Sequence, residues 1–158
     1  MKHKFLLTLL LALSYQASFS QTVNDENPPV FGFTIGQKTI AQPCGTQHKN
    51  TICEKELLDQ YNTYSLEFKE GYKPSYIKRL SVSKNKDDTI DTIWINTYGK
   101  KDQALMYEKL VDYFGKPTNL SNTENSSIYA YWENKSIRVI FLGSYTDQEN
   151  GIVVLTKN

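Results

Sequence analysis

Thr89–Pro117 reads TIDTIWINTYGKKDQALMYEKLVDYFGKP, and the period of its apolar residues changes at Gly99. Before the glycine, Ile93 and Ile95 share one phase of a two-residue alternation with Trp94 opposite, which predicts a strand with one buried face. After it, Ala104, Tyr107, Val111 and Phe114 recur at helical spacing, widened by Leu110 into an apolar stripe. Asp102 stands where it can cap the helix start. Gly115 suits a left-handed position just past the end, and Pro117 prevents continuation.

Working outward, hairpin-linked strands are expected on both sides. Downstream they fall at Ile128–Trp132, Ile137–Leu142 and Ile152–Thr156, after the polar stretch TNLSNTENSS, read as a loop. Upstream they fall at Tyr64–Phe68 and Tyr76–Val82, with SKNKDD as a turn. Phe31–Ile35 reads as a short strand or an apolar lead into a helix. Gly36–Ala41 reads as a turn and helix start, and Glu54–Tyr61 as an extension of that helical region. Each half then holds a glycine-led turn, a helix and three strands. The expected fold is α+β: an antiparallel sheet of about six strands in two helix-plus-three-strand halves, with helices on one face.

The chain opens MKHKFLLTLLLALSYQASFSQT: a basic start at Lys2 and Lys4, an apolar run, then small residues. Residues 1–20 read as a secretory signal peptide cut near Ser20/Gln21, too short in its apolar run to span a bilayer. No cysteine follows that run, so no lipid attachment is expected. Residues 21–29 read as a flexible leader and 30–158 as a single domain, placed in the periplasm or outside the cell. Losing Lys2 and Lys4 would leave 16 basic against 17 acidic side chains. That balance argues against nucleic-acid binding and against a polybasic membrane association.

Cys44 and Cys53 lie in PCGTQHKNTIC. In an oxidising compartment, an even pair this close reads as a disulfide. With His48 they would supply at most three zinc ligands where a structural site wants four, and there is no C-x-x-C. No metal or other cofactor is expected. His48 is the only histidine outside the first three residues, and no G-x-S-x-G, H-E-x-x-H, P-loop or G-x-G-x-x-G occurs. The densest acids, Asp87, Asp88, Asp91 and the Glu54/Glu56 pair, include the composition of an exposed turn rather than a catalytic dyad.

The FGFTIGQKT opening and the YEKLVDYFGKP helix end resemble small secreted bacterial proteins of the β-lactamase inhibitory protein-like and outer-membrane-assembly lipoprotein-like folds. That resemblance implies a fold that binds other proteins without catalysis, and it carries no functional residue onto a numbered position. Strand phase supplies the candidate binding face. With Ile93, Ile95, Leu80, Val82, Ile128, Ala130 and Trp132 inward, Trp94, Tyr129, Tyr131 and Arg79 point outward. These residue types are enriched at protein interfaces. The expected function is therefore a secreted, non-catalytic protein-binding module of a bacterial envelope, an inhibitor or immunity-type protein. A structural envelope-maintenance protein and a hydrolase are the alternatives.

Overall fold

A computed structural model describes residues 27–39, 43–45, 51–58, 62–122, 127–144, 146 and 148–158. The expected signal peptide, most of the leader, and His48 lie outside the described residues.

The described residues form an eight-stranded antiparallel sheet with one helix, which corrects the expectation of six strands and two helices. The strands are β1 (Ile52–Leu57), β2 (Thr63–Phe68), β3 (Arg79–Lys84), β4 (Ile90–Tyr98), β5 (Asn119–Asn122), β6 (Ser127–Glu133), β7 (Ile137–Ser144) and β8 (Asn150–Lys157). Helix α1 (Gly99–Phe114) separates β4 from β5. The strand order is β1-β2-β3-β4-β8-β7-β6-β5. Two four-stranded meanders therefore meet along β4 and β8, with the helix between them in sequence and not one helix in each.

Three local readings change for physical reasons. Glu54–Tyr61 was expected to be helical, but its described start belongs to strand β1, which pairs with β2 from Ile52↔Phe68 to Leu57↔Tyr64. Its Glu, Lys and Leu residues are good helix formers, and tertiary pairing overrides that preference. The polar stretch expected as a loop contributes β5, whose Asn119–Asn122 pair with β6 as a short outer strand. Phe31–Ile35 is neither strand nor helix. Phe31 (φ 52) and Gly32 (φ 85) turn the chain tightly, closed by reciprocal backbone hydrogen bonds between Val30 and Phe33.

The helix buries Gln103, Met106, Leu110 and Phe114, so its inward stripe is rotated from the expected one and Ala104 is exposed. Asp102 sits in the first turn, while the N-cap is Tyr98 without a side-chain cap. Its carboxylate still faces the positive end of the helix dipole. Gly115 takes φ 75, open to glycine at little cost, and its N–H donates to the Val111 carbonyl at 2.8 Å. The Trp132 indole N–H donates to the Gly115 carbonyl at 2.8 Å, tying the helix end to β6.

The core lies on one face of the sheet. Ile93, Ile95, Val139, Phe141, Val153 and Leu155 are fully buried there, and α1 packs on β4, β7 and β8. Over the other half of that face, Val30, Phe33, Ile35 and Ile77 complete the same cluster. Backbone hydrogen bonds linking Gly36 and Gln37 with Ile90 dock the Val30–Ile35 segment. An irregular segment thus does the covering that a second helix was expected to do.

Candidate functional site

The opposite face is read off the strand pairing. One row across the sheet runs Arg79, Asn96, Ile152, Leu142, Tyr129, Ser121. The next runs Ser81, Trp94, Val154, Ile140, Tyr131, Asn119. Arg79, Trp94, Tyr129 and Tyr131 therefore share the face turned away from α1. They are not a contact cluster. Trp94 and Tyr131 are three strands apart, roughly 14 Å at ordinary strand spacing.

Aliphatic side chains that the sequence reading did not single out fill the space between them. Ile152 and Leu142 pair directly and are 37% and 48% exposed, while Val154 and Ile140 are half-buried. Tyr98, 45% exposed, extends the face at the end of β4. A signal for these residues is present in the sequence. RVIFL and GIVVL are apolar in both phases of the alternation, as expected of strands with apolar groups on both faces. No described element covers this face.

Desolvation, followed by hydrogen bonding with Glu133, pushes the Tyr131 phenol above its ordinary value. It is therefore a neutral hydrogen-bonding group at physiological pH. Glu133 also holds Arg138 on the next strand, with Nη2 3.2 Å from Oε1.

Beside the apolar rows the sheet opens. Ladder pairing of β2 with β3 stops at Leu66↔Leu80, although β2 continues to Phe68 and β3 begins at Arg79. The connection between them is too long for a tight hairpin, so the strand ends splay. The gap is a cleft of about 270 Å³ lined by Lys55, Ser65, Glu67, Lys73, Lys78 and Arg79 together with Leu66, Phe68 and Leu80. Lys55 lies 3.6 Å from Glu67. Lys73 Nζ donates to the Lys78 carbonyl at 3.0 Å. Lys78 Nζ donates to Asn150 Oδ1 at 3.3 Å and stands 4.8 Å from the centre of the Tyr98 ring.

Cys44 and Cys53 form the expected disulfide. It fastens residues 43–45 along the outer edge of β1, where the Cys44 N–H donates to the Glu54 carbonyl at 2.8 Å. Three of the acids considered for catalysis, Asp87, Asp88 and Glu54, have structural surroundings, whereas Asp91 Oδ1 is buried without a hydrogen-bond partner among the described residues. Asp87 and Asp88 lie in a turn organised by Asn85, whose Oδ1 accepts the N–H groups of Asp87 and Thr89 at 2.9 Å. Glu54 is nearly buried, with Oε1 2.8 Å from Lys84 Nζ, and that ammonium lies 4.1 Å from the centre of the Tyr64 ring. Among the described residues no group of three or more His, Cys, Asp or Glu side chains could hold a metal ion. None of the described helices is long and apolar enough to cross a membrane.

No protein-family model matches the chain, and no curated protein proves similar. Among solved structures, it is similar to a DUF4309 family protein, YjgB, from Bacillus subtilis. The two are 14% identical, the match covers 85% of this chain and 88% of that one, and the TM-score is 0.38.

Proposed function

We propose that the protein is a secreted, non-catalytic protein-binding module of a bacterial envelope, of the inhibitor or immunity type, and that its partner docks on the sheet face turned away from α1. One observation carries this reading: Trp94, Val154, Ile140 and Tyr131 form a row beside Ile152, Leu142 and Tyr129, with Arg79 at its end and no described element over them. Aromatic and arginine side chains on a rigid sheet supply large contact area at low entropic cost, which is the composition of interface hot spots. The matching partner surface is apolar at its centre and acidic where it meets Arg79.

The test is a crosslinked pull-down from the producing cell's periplasmic and secreted fractions, with the oxidised protein as bait. The Trp94→Ala/Tyr131→Ala double variant is expected to lose a dominant partner that a Leu120→Ala control retains. A partner kept equally by all three baits rules out this face.

A further inference from the structure

The cleft between the splayed ends of β2 and β3 gathers four cationic side chains against one carboxylate, a surplus of three. The whole chain carries only +1, so the concentration is local. Lys55 is balanced by Glu67. The other cations have neutral partners: a carbonyl for Lys73, an amide oxygen and an aromatic ring for Lys78. Arg79 is exposed and makes no ion pair among the described residues. Three cationic side chains thus line one cleft without a carboxylate partner among the described residues. Such a local surplus of positive charge attracts an anion.

The position of the cleft says which anion. Arg79 heads the row that runs through Ile152 and Leu142 to Tyr129, so the cleft and the apolar rows open on one continuous face. A chain lying on that face would carry its own side chains into the cleft. We propose that the cleft binds the carboxylates of an acidic segment of the partner protein. Arg79 takes one carboxylate through its guanidinium fork, and Lys73 and Lys78 take a neighbouring one as point charges. This deepens the docking reading and rests on it for the source of the acidic segment.

An NMR titration tests the cleft without the partner. The oxidised, ¹⁵N-labelled protein is titrated with acetyl-(Glu)₄-amide, with acetyl-(Gln)₄-amide and with citrate. The glutamate peptide is expected to shift the amides of Lys73, Lys78 and Arg79. Its binding should weaken at least about tenfold for the glutamine peptide, for Arg79→Glu, and on raising NaCl from about 50 to about 300 mM. The Arg79→Glu spectrum must remain dispersed, and Lys73→Glu serves as a second variant should it not. Equal binding of the glutamine peptide, shifts confined to other residues, or no shifts at all overturn the proposal. Tighter binding of citrate than of the peptide at the same amides also overturns it, in favour of a small polycarboxylate. The two readings fail separately: a captured partner lost with Trp94→Ala/Tyr131→Ala but untouched by Arg79→Glu and Lys73→Glu leaves the docking face standing and removes the cleft.

Discussion

Gln103 shows how much one side chain on α1 holds. It is 1% exposed, its Oε1 accepts the Ser144 N–H, and its Nε2 donates to the Glu149 carbonyl at 2.9 Å. The amide bridges the end of β7 to the start of β8, and glycines make room for it: a Cβ on Gly151 would lie 2.5 Å from Thr97 Oγ1 and 2.9 Å from Gln103 Cγ. Gln103→Leu leaves the buried Ser144 N–H without its acceptor, while the Glu149 carbonyl keeps the Gly99 N–H. It is expected to cost about 1–3 kcal/mol in denaturant unfolding, with far-UV circular dichroism unchanged. Thr97 presents the opposite case. Its Oγ1 is buried without a hydrogen-bond partner among the described residues, so Thr97→Val is expected to raise stability by roughly 1 kcal/mol, read as a higher Tm. Burial pushes the Tyr76 phenol above 10.0, and neighbouring Tyr113 adds to this. The folded state thus holds the proton longer than the unfolded chain, and stability from this group falls as pH rises past about 10. Tyr76→Phe should flatten that loss in alkaline melting curves.

At the scale of elements, β1 is fastened from both sides. The disulfide ties residues 43–45 along its edge, and the Lys84–Glu54 pair reaches across from β3. Opening the short disulfide loop with reductant is expected to cost about 2.5–3 kcal/mol in urea unfolding. Lys84→Met strands the Glu54 carboxylate in a nearly buried position and should cost about 3–5 kcal/mol, most of it recovered in Lys84→Met/Glu54→Leu. The double-mutant cycle separates that penalty from loss of packing. These fastenings also explain what the sequence concealed. The alternation of β2, β4 and β6 was legible because each buries one face, β7 and β8 were legible as apolar runs between turns, and the change of period at Gly99 marked the helix. Ile52–Leu57 was not legible as a strand, since its helix-forming residues are held extended by partners distant in sequence. Asn119–Asn122 is polar because an edge strand needs only backbone pairing on one side. The outward phase of Trp94, Tyr129, Tyr131 and Arg79 could be read from their buried neighbours. The cleft could not, because it depends on where β2 and β3 part and on lysines delivered by their connection.

For the whole molecule, the sheet divides labour between its faces. One carries a core covered by α1 and by the Val30–Ile35 segment; the other carries aliphatic and aromatic rows that end in a basic cleft. A single sheet with its core on one side can present the other to a partner without rearrangement, so complex formation should leave the backbone nearly unchanged. The most direct measurement is site-specific photocrosslinking in the producing cell, with p-benzoylphenylalanine placed at Leu142 on the outer face or at Glu108 on the exposed side of α1. One discrete adduct is expected from Leu142 and none from Glu108. An adduct from Glu108 with none from Leu142 would contradict it, placing the partner on the helix side and leaving the outer rows without a docking role.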